Sequence, residues 1–231
     1  MSAKPRLTAI LNPQSGKGAS LQVWNQIAAS ASSTFETTLA QTERPRHATQ
    51  LAIDAISNGS TLILVVGGDG TLSEVVNGYI AANGKDKGVT LAIIHTGTGG
   101  DFAKSAGIPR NPLDAWNLVL KETRNGKFLE RLKVLRDSVI SDGLFNTMTL
   151  RDPSTSEFVM YADSGLKHGD FHEKCPEKSE VGMAVNVVAE PVEVGGDGIG
   201  EEVWVEADGE VVGVLPAEFT VLPGAVRLIV P

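Results

Sequence analysis

The sequence predicts an α/β fold: an N-terminal parallel sheet, then a smaller antiparallel β-sandwich. Over the first 120 residues, short β-branched apolar runs alternate with longer helical patterns. Three of those runs lead directly into glycine-rich loops. Beyond residue 130, helical periodicity fades and strand-like runs recur between Gly and Pro turns. Strand–helix alternation marks a parallel sheet covered by helices, and closely spaced short strands mark an antiparallel sandwich. The boundary therefore falls near residue 130, giving domains 1–130 and 131–231.

Element by element, Leu7–Leu11 reads as a first strand, followed by a helix from about Ala19. Phe35–Ala40 is a second strand, with a helix over His47–Ile56. Leu62–Val66 is a third, followed by a helix after Thr71, and Leu91–Ile94 is a fourth. In the second half the strand-like runs are Phe158–Tyr161, Met183–Val188, Val203–Ala207, Val211–Leu215, Glu218–Leu222 and Val226–Val230. Gly195–Gly198 repeats the letters of Gly67–Gly70, but no helix pattern follows it, so it is read as a strand connection.

Composition excludes several classes. With 42% apolar and 21% charged residues over 231 positions, the chain is neither disordered nor collagenous. Its apolar runs fall far short of the ~20 residues that cross a bilayer. The start lacks the apolar stretch and cleavage site of a secretory signal. Cys175 is the sole cysteine and has no partner for an internal disulfide. The expectation is a cytoplasmic protein. Residues 1–130 hold 12 Lys/Arg and 10 Asp/Glu, whereas residues 131–231 hold 8 and 18. No basic cluster is present and the net charge is −8, which disfavours a nucleic-acid partner.

The chemistry-bearing signal is the set of glycine loops: Asn12-Pro-Gln-Ser-Gly-Lys-Gly18, Gly67-Gly-Asp-Gly-Thr71 and Gly97-Thr-Gly-Gly-Asp101. Glycine lets backbone N–H groups close on an anion, and a helix N-terminus adds positive dipole. Three such loops on one sheet edge suggest a polyphosphate site. The first is not a Walker A loop, because Leu11 and Gly18 occupy positions that motif reserves for Gly and for Ser/Thr. Thr71 and Glu74 have capping-box spacing and are expected to start a helix. Capping leaves Asp69 unexplained. A carboxylate in a phosphate loop repels the ligand unless it takes a proton or faces a cation, so Asp69 is read as a general base or a group on the magnesium side. No residue is assigned as a direct metal ligand.

Together with Glu74-Val-Val-Asn-Gly78, Asp101-Phe102 and Thr42-Glu-Arg-Pro-Arg-His-Ala48, these loops resemble the catalytic domain of the diacylglycerol kinase and sphingosine kinase superfamily. The Thr42–Ala48 segment is similar to the eukaryotic sphingosine kinase branch, and Val205-Glu-Ala-Asp-Gly-Glu210 to the superfamily's second-domain motif. The resemblance implies an NAD kinase/diacylglycerol kinase-like nucleotide domain joined to a β-sandwich, with the active site in the cleft between them. It implies transfer of the γ-phosphoryl group of ATP, with Mg²⁺, to a lipid hydroxyl. Carried over, Asn12, Pro13, Gln14, Ser15, Gly16 and Lys17 form the first phosphate loop, and Thr42 and Arg44 lie near the nucleotide. Gly67, Gly68, Gly70, Thr71 and Glu74 form the second loop, and Gly97, Thr98 and Gly99 close the site. Asp69 is the favoured base and Asp208 the other candidate, with Gly209 and Glu210 facing phosphate or metal. Asp163 is the candidate for reading a polar lipid head. A lipid substrate further implies transient contact with a membrane surface, at the periphery.

The chain departs from the family pattern at several places. Gly100 stands where the motif has Asn, and His95 where it has Pro; His95 itself is read as a strand-end histidine. The second domain is shortened, and Ser179–Val226 holds ten acidic residues and no Lys or Arg. Like charges near bound ATP are unfavourable without metal. His168, Asp170, His172 and Cys175 match no standard zinc spacing and read as a solvated turn. Two other readings remain open: a catalytically impaired nucleotide-binding or regulatory homologue, and an NAD kinase sharing the Gly-Gly-Asp-Gly-Thr loop. The segments Glu74–Gly78, Thr42–Ala48 and Gly97–Asp101 favour the lipid kinase.

Overall fold

The computed structural model describes residues 4–125, 144–150, 173, 176–191, 202–207 and 210–231. The chain forms two compact units, Met1–Leu132 with Gly224–Pro231, and Lys133–Pro223.

The first unit is built on four parallel strands, β1 (Arg6–Leu11), β2 (Glu36–Gln41), β3 (Leu62–Gly67) and β4 (Thr90–His95), in the order β2-β1-β3-β4. Position in the sheet explains composition. Every residue of central β3 is buried, and its sequence is an unbroken apolar run. The edge strand β2 is largely exposed and carries Glu36, Thr37, Thr38 and Gln41. A short 3-10 turn (Ser15–Gly18) and helices α1 (Ala19–Thr34), α2 (His47–Ser57), α3 (Asp69–Ala81), α4 (Asp101–Ser105) and α5 (Pro112–Asn125) complete this unit's described elements. α1 buries Val23, Trp24, Ile27 and Ala31, the stripe expected of a helix that covers a sheet. Phe35 and Trp116 meet edge to face at 6.2 Å, tying the end of α1 to α5. Tyr79 is fully buried and its hydroxyl donates to the Val89 carbonyl at 2.7 Å. Burial raises its pKa above the ordinary tyrosine value.

α2 and α3 approach closely at Gly78, where a Cβ would lie 2.3 Å from the Thr49 carbonyl oxygen and 2.9 Å from Ala52 Cβ. Backbone cannot yield as a side chain can. Gly78→Ala is therefore expected to destabilise the protein by about 1–3 kcal/mol, the usual cost of overpacking. Urea denaturation checks this; an unchanged midpoint would show that the helices part without cost.

The chain end is a correction to the expected domains. Val226–Val230 reads as a closing strand of the second domain, yet Gly224–Pro231 groups with the first unit. Leu91 N–H donates to the Arg227 carbonyl at 2.7 Å, Ile229 N–H donates to that of Leu91 at 2.9 Å, and Leu91 bridges Leu228 in parallel. Leu228 and Ile229 thereby enter the core beside β4. The pairing gives β4's otherwise open edge hydrogen-bond partners and buries two large aliphatic side chains.

In the second unit, three antiparallel pairs form among the described residues: β5 (Phe145–Leu150) with β6 (Ser179–Ala184), β7 (Asn186–Ala189) with β10 (Ala217–Thr220), and β8 (Trp204–Ala207) with β9 (Glu210–Val214). The single strand expected over Met183–Val188 is interrupted at Val185, because its two parts pair with different partners. Phe158–Tyr161 and Gly195–Gly198 lie outside the described residues. Among the described residues, no helix is long and apolar enough to cross a membrane.

Candidate active site

Parallel strands place all their carboxyl ends on one edge, and ligands of open α/β sheets bind there. In the order β2-β1-β3-β4, that edge carries in turn the segments after Gln41, Leu11, Gly67 and His95. These are the four motif segments of the first unit. The glycine loops also touch one another. A Cβ on Gly16 would lie 2.1 Å from the Thr96 carbonyl oxygen, and one on Gly97 would lie 2.9 Å from Gly68 Cα. One on Gly68 would lie 3.7 Å from Ser15 Oγ. Glycine is needed here for close approach, and its use brings three backbones into one cluster.

The first loop is shaped by its own chain. Asn12 N–H donates to the Val66 carbonyl at 3.1 Å, and Asn12 Oδ1 accepts from Gln14 N–H at 2.9 Å. Gly16, Lys17 and Gly18 then adopt left-handed φ values of 60°, 57° and 91° before α1 begins. Lys17 holds this conformation without glycine's freedom, which marks a constrained turn. Neither α1 nor α3 has a side-chain N-cap, and α1 has no acidic residue in its first turn. The α1 dipole thus lies at the loop cluster with neither a capping side chain nor a carboxylate over it, a setting that favours an anion, whereas the first turn of α3 already carries Asp69.

Asp69 is the first residue of α3, after the N-cap Gly68. Its Oδ2 accepts from Gly100 N–H at 2.9 Å. Its Oδ1 is buried without a hydrogen-bond partner and lies 3.9 Å from Nδ1 of His95, which is likewise buried and unpartnered. The Asp69 side chain as a whole is 41% exposed, so a reacting group can reach it. His95 ends β4, as expected of a strand-end histidine, but its ring turns into the loop cluster, with Nε2 3.0 Å from the Gly97 carbonyl oxygen. A Cβ on Gly100 would lie 2.7 Å from His95 Nε2. The two departures from the motif are thus one feature: the imidazole fills the space where a side chain at 100 would begin.

Two expected site residues also tie the segments together. Thr71 and Glu74 do not form a capping box on α3, whose N-cap is Gly68 without a side-chain hydrogen bond. Thr71 is buried, and its Oγ1 accepts from Asn12 Nδ2 at 3.2 Å, linking the first two loops. Glu74 reaches across to α2 and accepts from the N–H groups of Arg46 and Ala48 at 2.9 and 3.0 Å. The physical reason is supply: α2 begins after left-handed Arg46 with no side-chain cap of its own, and Glu74 provides one. It thereby anchors the Thr42–Ala48 segment, with Thr42 N–H also donating to the Leu11 carbonyl at 2.9 Å. Arg44 and Lys17 are exposed cations on this edge, Pro13 and Gln14 complete the first loop, and Thr98 and Gly99 lie exposed in the third. Gly70 has no atom within 4 Å of a would-be Cβ, so packing does not demand glycine there.

Sequence reasoning did not find Ser20. It is fully buried, with Oγ 2.7 Å from Thr96 Oγ1 and 3.3 Å from the Ser15 carbonyl oxygen; Thr96 Oγ1 donates to Ser15 Oγ at 3.1 Å. These hydroxyls lock the first loop to the third. A polar residue inside the first turn of a helix whose closest side-chain partner lies 76 residues away leaves no local trace. Asp163, Asp208, Gly209, His168, Asp170, His172 and Cys175 lie outside the described residues. Glu210 begins β9. Among the described residues no three His, Cys, Asp or Glu side chains gather as metal ligands.

Residues 6–129 match the family described as the diacylglycerol kinase catalytic domain, and the chain belongs to that family. It is 39% identical over 79 residues to the "Diacylglycerol kinase" of Bacillus subtilis (strain 168), a match covering 34% of this chain and 25% of that protein. It is 32% identical over 121 residues to the "Probable lipid kinase YegS-like" protein of Stenotrophomonas maltophilia (strain K279a), covering 49% of this chain and 36% of that protein. The matched part is thus about a quarter to a third of each relative's length. A crystal structure of a diacylglycerol kinase from Bacillus anthracis str. Sterne superposes with a TM-score of 0.73 at 18% identity, covering 100% of this chain and 98% of that one. At that identity the likeness speaks for the fold.

Proposed function

We propose that this protein transfers the γ-phosphoryl group of ATP to a lipid hydroxyl, with Asp69 as the proton acceptor. One observation carries the reading: three glycine loops and two helix N-termini without side-chain caps meet on one sheet edge, with a reachable carboxylate among them. In the transfer, the lipid oxygen forms a bond to the γ-phosphorus and the bond to the β,γ-bridging oxygen breaks, releasing ADP. The hydroxyl proton passes to Asp69. A lipid hydroxyl is a weak nucleophile, so a positioned base contributes, while most of the acceleration comes from alignment and charge stabilisation. Backbone N–H groups of the loops and the exposed cations Lys17 and Arg44 supply the latter. Mg²⁺, when bound, neutralises charge on the transferring phosphates. Asp69 in the loop cluster, and Glu210, which the resemblance sets toward phosphate or metal, are the carboxylates that would face the ion, a hard cation that takes oxygen ligands.

The acceptor is a sphingoid base or diacylglycerol. The names of the relatives support diacylglycerol, and the Thr42–Ala48 segment supports the sphingoid base. Such substrates require transient contact with a membrane surface from the cytoplasmic side. The deciding experiment incubates the protein with labelled ATP and Mg²⁺ against sphingosine, ceramide, diacylglycerol and NAD, with products resolved by thin-layer chromatography. Label in one lipid is the expected result. Label in NAD alone, or ATP-dependent thermal stabilisation with no product, would replace this reading by an NAD kinase or a non-catalytic nucleotide-binding protein.

A further inference from the structure

We propose that His95 is a positioning residue for Asp69, the two joined by one proton between Nδ1 and Oδ1; the inference rests on the reading of Asp69 as proton acceptor. The imidazole is fixed on three sides. Its Nε2 faces the Gly97 carbonyl oxygen at 3.0 Å, and because a carbonyl only accepts, Nε2 carries hydrogen. Would-be Cβ atoms on Gly97 and Gly100 come within 3.1 and 2.7 Å of ring atoms, so the third loop wraps the ring. The ring is 9% exposed and cannot turn its remaining nitrogen to bulk water.

That nitrogen, Nδ1, faces Asp69 Oδ1 at 3.9 Å, and both atoms are buried with no other partner. Without a shared proton, two lone-pair acceptors oppose each other in a shielded place, and each is left desolvated and unsatisfied. One proton between them satisfies both, with closure to about 2.8 Å, the distance of charge-assisted hydrogen bonds. The consequence lies on the other oxygen. With Oδ1 held by His95 and Oδ2 aligned by Gly100 N–H, the carboxylate plane is set from two directions. Since Oδ1 is buried and the side chain is 41% exposed, Oδ2 is the oxygen left to meet the incoming hydroxyl.

Two substitutions separate positioning of Asp69 from support of the third loop. His95→Asn places an amide donor near the Nδ1 position, and His95→Gln places one near Nε2. The expected result is that His95→Asn keeps kcat within a few-fold of the parent. His95→Gln is expected to lower kcat by on the order of 100-fold, the cost of a misaligned group, with KM for ATP unchanged in both. Equal kcat in the two variants, the reverse order, or a change confined to KM would overturn the proposal. A second measurement does not depend on turnover. In protein labelled with ¹⁵N-histidine, the His95 Nδ1 resonance is expected to move on Asp69→Asn in the absence of any substrate. An unmoved resonance overturns the pairing, whereas a moved resonance in a protein that phosphorylates no lipid would leave the pairing intact and remove only the kinase reading.

Discussion

Asp69→Asn is expected to lower lipid phosphorylation by about 10²–10⁴-fold, the range a positioned general base contributes. ATP binding should survive. The substituted amide keeps an oxygen that can accept from Gly100 N–H, so the third loop retains its tie to α3. Initial rates with the preferred lipid, together with the ATP-induced shift in melting temperature, separate the two effects. Undiminished turnover would remove Asp69 as the base and leave Asp208 as the remaining candidate, to be tested by the same substitution there. Loss of ATP binding as well would show that the carboxylate serves the nucleotide and not the acceptor.

Gly16→Ala is expected to abolish the ATP-dependent thermal shift and to lower stability by about 1–3 kcal/mol. The added methyl would lie 2.1 Å from the Thr96 carbonyl oxygen, and the residue holds φ at +60°, so space and backbone conformation both oppose it. Relief requires the first and third loops to separate, breaking the Ser15–Ser20–Thr96 hydroxyl cluster. Gly70→Ala is the informative comparison. Nothing lies within 4 Å of its would-be Cβ, and alanine favours a helix over glycine by about 0.5–1 kcal/mol, so the protein should melt no lower than the parent. If the Gly70 backbone lies against phosphate, ATP affinity nevertheless falls. Calorimetry and thermal melting of the two variants give opposite patterns: one protein weakened throughout, the other stable but poor at binding. Full ATP affinity in both variants would mean the nucleotide lies elsewhere.

Much of the first unit was legible because its signals are local. An apolar run such as Leu62–Val66 can only be a short buried strand or a piece of buried helix, and the glycines that follow choose the strand. α5 was missed despite a readable start. Asn111 Oδ1 accepts from the N–H groups of Leu113 and Asp114 at 2.9 and 3.3 Å, with proline at the first helical position, the Asn-Pro pattern of a helix N-terminus. The capping box was a false local signal. Thr71 and Glu74 have the right spacing, but Asn12 and the α2 N-terminus hold their oxygens, and tertiary partners outcompeted the local cap.

The amino-acid order alone determined the alternation of strands and helices, the three glycine loops and the family to which they belong. Each of these depends on residues within a few positions of one another. Tertiary structure decided which edge neighbours which, that Gly224–Pro231 returns to β4, that Ser20 joins loops far apart in the chain, and that His95 faces Asp69. Those are contacts between distant segments. They follow from how a parallel sheet orders its strands, and strand order is settled by burial and pairing across the whole unit, not by any window of sequence.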